Sequence, residues 1–244
     1  MIRYSLKLKA RDLIRRAGYD VRANNLHSRE DLRLVHFLRH HAIRTVLDVG
    51  ANRGQFAEHL LSAGFGGQIV SFEALPDVYG ELQRNAARFP GRWSVAPRCA
   101  LSDKKGATRF HITNNLQSSS MLAPNAHLQS MGAPLEEREV VDVDCMRLDE
   151  LYRPEADSAG AVFLKIDVQG AEAMVLAGAE RLLPDIKGLL LEMSLAPLYE
   201  GQPLAGEVDA MVIRLGFKLW DMSPVFRDAG TGRLYQYDAV YFKD

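Results

Sequence analysis

The sequence is poor in cysteine, in tryptophan and in long apolar runs. Its 244 residues include two cysteines, Cys99 and Cys145, and two tryptophans. Two cysteines form neither a disulfide framework nor a zinc site, so we expect buried core thiols. No apolar run reaches the length of about 18 residues that a membrane-spanning helix needs. The opening residues alternate basic and apolar side chains instead of forming a signal peptide, and we therefore expect a cytoplasmic protein.

Charge is nearly balanced overall but unevenly distributed along the chain. The formal net charge is −1, yet residues 1–44 hold 11 Lys and Arg against 4 Asp and Glu. This basic opening is best interpreted as a solvated helix face. Contact with an anionic partner, such as a membrane surface or a phosphate-bearing substrate, stays open, and so does a homodimer.

The most informative stretch is a strand, a glycine-bearing turn and a helix start. Ile43–Val49 is apolar and β-branched, which predicts a buried strand. Gly50 and Gly54 follow, and then a helical stretch from Gln55 to Leu61. Such a turn lets the backbone approach a nucleotide cofactor, and Glu73, at the end of the next apolar run, could accept the hydroxyls of a ribose. Glycines that serve tight packing alone are the alternative.

The turn favours S-adenosylmethionine over a dinucleotide. Asn52 occupies the position of the second glycine in the dinucleotide pattern, and Gly54 comes too early for the third. The carboxylate of Asp48 would repel a pyrophosphate but would suit the ammonium and sulfonium groups of S-adenosylmethionine. We expect Asp48 and the backbone at Gly50 and Asn52 to hold the amino-acid end of that cofactor.

Local patterns also predict helices over Ile2–Ala17, over Arg29–His41 with Ser28 as its cap, and from the turn after Asp167 to about Leu183. They predict strands over 107–112, 139–145 and Phe217–Trp220, and a glycine-bearing hairpin turn over Asp228–Arg233 that leads to a last strand over Leu234–Phe242.

Strands and helices alternate from residue 43 onward, which predicts a parallel sheet with its ligand beyond the carboxyl ends of the strands. Ala100–Asp103 then lies where an adenine ring would be covered. Asp103 either bonds the exocyclic amine of the adenine or holds a turn. Both roles stay open.

Two further carboxylates are expected at this edge of the sheet. The strand that begins at Val162 ends in Asp167 and should lie beside the first strand, and Glu192 follows a strand over Gly188–Leu191. Asp167 and Glu192 should therefore converge on one cleft. Glu172 either contacts the substrate or complements the dipole of the helix that it begins.

A long polar loop covers residues 113–137 and contains Ser119 and Ser120. Loops of this length without structure of their own are usually functional or mobile. Its hydroxyls would suit a polar substrate, and a solvated linker is the alternative.

In these motifs the chain resembles the FkbM-type methyltransferases. The resemblance spans about Thr45 to Phe242 and depends on segments 48–56, 72–76, 100–103, 164–172 and 238–242 in that order. It implies a Rossmann-like class I methyltransferase: an α/β fold with a seven-stranded, mostly parallel sheet and an antiparallel last strand. It divides the chain into a basic helical extension (1–42) and a methyltransferase domain (43–244). Gln169 departs from the motif, which often has Glu at this position.

The resemblance also implies an enzyme that transfers a methyl group from S-adenosylmethionine to a hydroxyl of a sugar, glycolipid or polyketide-type natural product. The expected catalytic residues are Asp167 and Glu192. The expected cofactor-binding residues are Asp48, Gly50, Ala51, Asn52, Gly54, Glu73, Ala74, Ser102 and Asp103. The expected substrate-binding residues are Ser119, Ser120 and Glu172. No metal is predicted, although the two catalytic carboxylates could hold a divalent ion that acidifies the hydroxyl.

Other functions are less well supported. Enzymes that methylate the amines of nucleic-acid bases tend to carry an Asn/Asp-Pro-Pro-aromatic run where this chain has Asp167-Val168-Gln169-Gly170. The acidic catalytic half also disfavours a polyphosphate, so we expect a small-molecule acceptor and no nucleic acid. A nucleic-acid or protein methyltransferase, or a non-catalytic module that binds the cofactor and recruits a partner, stays as an alternative.

Overall fold

The chain folds around one large sheet and one small sheet. The computed structural model describes residues 11–19, 23–130, 135–154 and 161–244. Its strands are β1 Thr45–Val49, β2 Gln68–Phe72, β3 Trp93–Val95, β4 Ala100–Leu101, β5 Gly106–Thr113, β6 Glu137–Met146, β7 Val162–Ile166, β8 Ile186–Ser194, β9 Lys218–Arg227 and β10 Leu234–Phe242.

The large sheet has seven strands in the order β3-β2-β1-β7-β8-β10-β9. Its first five strands are parallel to their neighbours, whereas β10 is antiparallel to both β8 and β9. The order reverses between β1 and β7, which lie side by side, so the carboxyl ends of these strands form the crevice where α/β sheets bind ligands. The expected α/β fold with an antiparallel last strand is confirmed.

Helices cover both faces of this sheet. They span Glu30–His40, Gln55–Ser62, Pro76–Ala86, Ala126–Ser130, Leu148–Leu151, Glu172–Gly178 and Ala205–Arg214. Strands β1 and β7 are buried throughout, because alternate side chains pack into a different apolar cluster on each face. Because these strands have no solvated face, helices must cover the sheet on both sides, which gives a three-layer helix–sheet–helix arrangement.

Some local expectations were wrong. Ser28 does not cap the helix that begins at Glu30, where Arg29 is in the N-cap position; the Ser28 hydroxyl donates to the carbonyl oxygen of Ala23 instead. The helix expected to run to about Leu183 ends at Gly178 and is followed by a short 3₁₀ turn. Most of the helix expected over Ile2–Ala17 lies outside the described residues. The described part of this segment is helical over residues 11–16.

The small sheet has the order β4-β6-β5 and lies beside the crevice. The strands expected over 107–112 and 139–145 are confirmed as parts of β5 and β6. Side chains of this sheet, such as Phe110 and Val143, pack on Leu75 and Val78 at the start of the helix that follows β2. The small sheet therefore forms one side of the crevice.

Both cysteines are buried free thiols, as expected. No helix within the described ranges combines the length and apolarity needed to cross a membrane.

Candidate active site

A cavity of about 370 Å³ opens at the carboxyl ends of β1, β2 and β7. The turn after β1 forms its floor, and the loop after β5 contributes Leu116, Gln117 and Ser119 to its wall. Four apolar side chains lie between them: Phe72, Leu75, Leu101 and Phe110. Of the predicted cofactor-binding residues, the cavity is lined by Gly50, Ala51, Asn52, Glu73 and Ala74.

The turn after β1 requires glycine at its first position. Gly50 has a φ of +72°, and a Cβ placed there would lie 1.8 Å from the carbonyl oxygen of Asp167. Asn52 also has a left-handed backbone, with a φ of +49°. Left-handed residues other than glycine are uncommon and concentrate at functional turns. The turn after β1 is therefore packed directly against the turn after β7.

Glu73 secures this turn from the end of β2. Its Oε2 accepts a hydrogen bond from the Asn52 backbone N–H (2.6 Å), and its Oε1 accepts from the N–H groups of Ala74 (2.8 Å) and Leu75 (2.7 Å). Burial raises the pKa of the Glu73 carboxyl, and the three N–H donors partly offset that effect. The carboxylate is therefore held rigidly in the cavity wall, where it can accept hydroxyl groups of a ligand.

Asp48 lies behind the cavity and does not line it. Its carboxylate is fully buried, 3.1 Å from the Lys165 ammonium, and accepts a hydrogen bond from the Ser71 hydroxyl (3.0 Å). These contacts arise because Ser71 and Lys165 are the partners of Asp48 on the two neighbouring strands. The negative charge that was expected to face a cationic ligand is therefore balanced within the protein.

The Lys165 ammonium that neutralises Asp48 also contacts the turn after β1. Its Nζ donates to the carbonyl oxygens of Gly50 (2.9 Å) and Val49 (3.2 Å) and lies 3.7 Å from Asp167 Oδ2. Burial alone would lower the pKa of the ammonium, but the carboxylates of Asp48 and Asp167 outweigh it and raise that pKa. Lys165 is thus a permanent cation in the lining of the cavity.

Gln169 links the two predicted catalytic carboxylates. Its side-chain NH₂ donates to Asp167 Oδ1 (2.9 Å) and to Glu192 Oε2 (2.6 Å). Its Oε1 lies 2.9 Å from the Tyr199 hydroxyl, which is also 2.9 Å from the carbonyl oxygen of Ser118. The structure thus brings Asp167 and Glu192 together through one carboxamide. This agrees with the expectation that the two carboxylates converge on one cleft.

Glu192 is buried inside β8 instead of following it, since this strand runs from Ile186 to Ser194. Its Oε2 also accepts from the side-chain NH₂ of Gln236 (2.7 Å), and no hydrogen bond from the described residues reaches its Oε1. Burial raises the pKa of the Glu192 carboxyl well above its usual range, and the nearby charge of Asp167 adds to the increase. A carboxylate whose pKa is raised in this way is a stronger base than an ordinary glutamate.

Asp238 is an acidic residue of the site that sequence reasoning missed. It pairs with Glu192 across β10 and β8 and lines the cavity. Burial, reinforced by the charge of Asp167, raises the pKa of Asp238 to about 7. An acidic residue in a last strand made mostly of aliphatic and aromatic residues was the available signal.

The remaining predicted site residues lie outside the cavity lining, apart from Ser119. Gly54 leaves room for the Trp93 ring, since its Cβ would lie 2.3 Å from that ring. The Ser102 hydroxyl donates to Asp103 Oδ1 (2.7 Å), at the far end of β4. Gly54, Ser102 and Asp103, which were predicted to bind the cofactor, therefore contribute packing and a hydrogen bond next to the cavity and do not line it.

Ser120 and Glu172 hold the turn after β7. The Ser120 hydroxyl donates to the carbonyl oxygen of Gln169 (2.8 Å), and Glu172 Oε1 accepts from the N–H groups of Val168 and Gly170 (both 3.1 Å). Burial raises the pKa of Glu172 to about 7. Both side chains are engaged with backbone and do not line the cavities described here.

A second cavity of about 580 Å³ adjoins the first. The two share Gln117, Gln169, Glu192 and Val225 in their linings. Side-chain amides are frequent around the second cavity, together with aromatic and aliphatic groups; the amides are those of Asn114, Asn115, Gln117, Gln169 and Gln236. Glu192 and Gln169 thus stand in the wall between a cavity at the strand ends and a polar cavity beyond it.

The first cavity fits S-adenosylmethionine. Its apolar side chains can enclose an adenine, Glu73 can accept hydroxyls of the ribose, and the acidic groups Asp167, Glu192 and Asp238 suit a cationic ligand. Within the described residues, no group of three or more His, Cys, Asp or Glu side chains is arranged to hold a metal ion. Fold and cavity together define a class I S-adenosylmethionine-dependent methyltransferase.

Comparisons with known proteins narrow the class to a family. The sequence profile of the Methyltransferase FkbM domain matches residues 48–219, so the chain belongs to the FkbM methyltransferase family. It is 29% identical to the 2-O-methyltransferase NoeI of Sinorhizobium fredii (strain NBRC 101917 / NGR234), over 68% of this chain and 70% of NoeI. It is also 29% identical to the 31-O-demethyl-FK506 methyltransferase FkbM of Streptomyces tacrolimicus, over 76% of each chain.

Among solved structures, the methyltransferase domain of bacterial CtHen1 aligns with 89% of this chain and 100% of its own length, at 12% identity and a TM-score of 0.47. The expected FkbM-type methyltransferase with S-adenosylmethionine as cofactor is confirmed by the family match.

Proposed function

We propose that this methyltransferase acts on a hydroxyl oxygen of a small molecule that bears several hydroxyl groups, as in a sugar, a glycolipid or a polyketide-type natural product. One observation carries the proposal: Glu192 lines both cavities and keeps an oxygen free of hydrogen bonds from the described residues. A base in that position can reach an acceptor in the second cavity while the cofactor occupies the first.

The cofactor would be held by backbone and by one carboxylate. Glu73 would accept the ribose hydroxyls, and the backbone at Gly50, Ala51 and Asn52 would hold the amino-acid end. Asp48 would act indirectly in this scheme, since it fixes Lys165, which in turn holds the carbonyl oxygens of the turn. Ala74 would line the same cavity beside the ribose. Gly54, Ser102 and Asp103 would support these elements through packing and turns.

For this methyl transfer the protein mainly has to orient the acceptor hydroxyl and to provide a proton acceptor. When bound, the cofactor supplies a methyl group on a positively charged sulfur. Asp167 places a carboxylate beside the cavity that would hold this cation, and Asp238 adds negative charge once the pH exceeds its raised pKa of about 7. Glu192 accepts the proton that the acceptor hydroxyl loses, a contribution typically worth about 10²–10⁴-fold in rate. Most of the remaining rate comes from holding the hydroxyl in line with the reacting carbon.

The second cavity suits an acceptor rich in hydroxyl groups. Side-chain amides both donate and accept hydrogen bonds, as hydroxyls do, so the four amides other than that of Gln169, which is engaged with Asp167, Glu192 and Tyr199, can pair with several hydroxyls at once. Ser119, in the wall of the first cavity, could add a polar contact, although its Oγ already accepts the Thr113 N–H. Leu198, Val225 and Phe226 provide apolar surface for the ring faces of such a molecule.

Two isosteric substitutions test the roles of the carboxylates. Glu192→Gln should lower kcat by about 10²-fold or more with little change in the Kd of S-adenosylhomocysteine, because it removes the base and keeps the shape. Asp167→Asn, measured beside it, should mainly weaken cofactor binding. If Glu192→Gln turns over at the wild-type rate, Glu192 is not the base. Activity that is lost on dialysis against EDTA and returns with a divalent ion would point to a metal-assisted reaction instead.

The acceptor itself can be sought in the native host. Mass spectrometry of glycans and glycolipids from cells with and without the protein should reveal one species that has lost a methyl group. If the species that changes is an RNA or a protein, the acceptor assignment is wrong while the methyltransferase assignment stands.

A further inference from the structure

Gln169 has an unusual backbone for a residue with a long side chain. Its φ is +55°, in the left-handed region that favours glycine. Such a conformation costs free energy and is retained where the surroundings fix it. Here Ser120 holds the carbonyl oxygen of Gln169, and Glu172 holds the N–H groups on either side of it. The chain accepts this strain and directs the Gln169 side chain into the wall between the two cavities.

The side chain of Gln169 can adopt only one orientation in that wall. Its NH₂ carries two hydrogens, and each has a carboxylate to receive it, on Asp167 and on Glu192. Its Oε1 faces the Tyr199 hydroxyl. A flipped amide would point its oxygen at both carboxylates and lose both donations, and this decides the orientation; the Tyr199 hydroxyl, which has one hydrogen for either the Ser118 carbonyl oxygen or Oε1 and can also accept, would fit either end of the amide.

We propose that Gln169 is a positioning residue of the methyl-transfer site: its carboxamide bridges Asp167 and Glu192, favours the ionised form of Glu192 in the wall between the two cavities, and so sets the pH range in which Glu192 can accept the acceptor's proton. The proposal rests on the proposed transfer to a hydroxyl. It goes beyond it by assigning the control of the base to a neutral side chain.

Hydrogen-bond donation to a carboxylate favours its charged form, and Glu192 needs that support. The charged groups that face it are the carboxylates of Asp167, Glu172 and Asp238 and the ammonium of Lys165. Burial and three acidic neighbours oppose the ionisation of Glu192, and the Lys165 ammonium is already engaged with Asp48 and Asp167. Loss of the Gln169 donor would leave the Gln236 amide as the hydrogen-bond donor to Glu192 among the described residues.

The motif in which Gln169 lies often has glutamate at this position. A glutamate here would remove the donor and bring a third carboxylate within hydrogen-bond distance of Asp167 and Glu192. Like charges at such distances raise the pKa of at least one member of the group. This chain should therefore work at lower pH than its own Gln169→Glu variant.

A titration of Glu192 tests the proposal without any acceptor. The carboxyl carbons of glutamate are labelled with ¹³C, and the Glu192 signal is assigned by its loss in Glu192→Gln. Gln169→Glu and Gln169→Asn should each move the Glu192 titration upward by about one pH unit or more. Asparagine tolerates the left-handed backbone but is too short to reach both carboxylates. Gln83→Glu, which adds the same charge on an exposed helix position, should leave the titration unchanged.

Kinetics extend the test to the reaction. The acid limb of kcat/KM should move to higher pH in both Gln169 variants, while the Kd of S-adenosylhomocysteine stays within several-fold of wild type. Tyr199→Phe removes the hydroxyl that faces Oε1 and should move the limb in the same direction by less. This second site keeps the proposal testable if one Gln169 variant fails to fold.

A Glu192 titration that is the same in wild type, Gln169→Glu and Gln169→Asn overturns the proposal, whatever the activities are. If instead the titration shifts as expected but the wild-type protein methylates no hydroxyl acceptor, the proposed function fails and the assignment of Gln169 as the residue that controls Glu192 stands.

Discussion

The ammonium of Lys165 is enclosed between carboxylates and carbonyl oxygens in the lining of the cofactor cavity. We predict that Lys165→Met lowers the free energy of unfolding by about 3 kcal/mol, because it leaves the buried Asp48 carboxylate without its cation. Adding Asp48→Asn should restore part of the loss, and urea denaturation measures both. Lys218→Met is the matched control: its pair with Asp244 is exposed and should matter by less than about 1 kcal/mol. Equal losses at the two lysines would contradict this account.

Asp238 makes stability depend on pH. Its pKa is raised from 3.8 to about 7, so between these values the folded protein keeps a proton that the unfolded chain has lost. Stability from this group is therefore fully present below pH 3.8, declines as the pH rises from there to about 7, and is lost above that. We predict that the free energy of unfolding of Asp238→Asn, relative to that of wild type, rises by about 2–3 kcal/mol between pH 5 and pH 8, measured by urea unfolding at both pH values. A variant whose difference from wild type is the same at both pH values would show that Asp238 is not held protonated.

Single residues were predicted well where their role is local and less well where a partner lies far away in sequence. Gly50 and Glu73 line the cavity because a turn and the end of a strand position them. The spacing could not reveal that Asp48 has Lys165 as its neighbour, because that contact depends on the register between β1 and β7. The lysine inside the otherwise apolar β7 indicated a buried acidic partner, but the sequence did not show which residue it is.

At the scale of elements, the loop between β5 and β6 is joined to the turn after β7 by one hydroxyl. Ser120 reaches the carbonyl oxygen of Gln169, and its backbone pairs with His111 of β5. We predict that Ser120→Ala raises the KM for the acceptor by about fivefold, as expected for one hydrogen bond, and leaves the Kd of S-adenosylhomocysteine within about twofold. The exposed Ser62→Ala serves as the control. An increase confined to the cofactor Kd would show that the loop serves the first cavity instead.

Element types could be read from the sequence more reliably than element lengths. The strand expected over Phe217–Trp220 is in fact β9, which extends to Arg227, and the strand expected over Gly188–Leu191 is β8, which includes Glu192. Both extensions follow from pairing with β10 across long antiparallel registers, which overrides polar residues and a proline that would suggest a loop. The hairpin between β9 and β10 was predicted because its turn residues are local.

At the scale of the whole molecule, the helix Glu30–His40 shares the core of the sheet. Its Leu34, Val35 and Leu38 are buried in the cluster that contains Val46 and Leu60. The ring of His41, just after this helix, stacks on Phe242 with centroids 3.9 Å apart. The predicted domain boundary after residue 42 would separate this helix from the sheet that it covers.

Two truncations decide where the methyltransferase domain begins. We predict that a chain of residues 29–244 keeps the wild-type melting temperature and the wild-type Kd for S-adenosylhomocysteine. A chain of residues 43–244 should lose more than about 4 kcal/mol of stability, because three buried aliphatic side chains worth about 1.5–3 kcal/mol each no longer cover the sheet. Urea unfolding and calorimetry compare the two directly. If the shorter chain is as stable as the longer one, the helix is an appendage and the boundary at residue 42 is right; if both lose stability equally, residues before 29 contribute to the core as well.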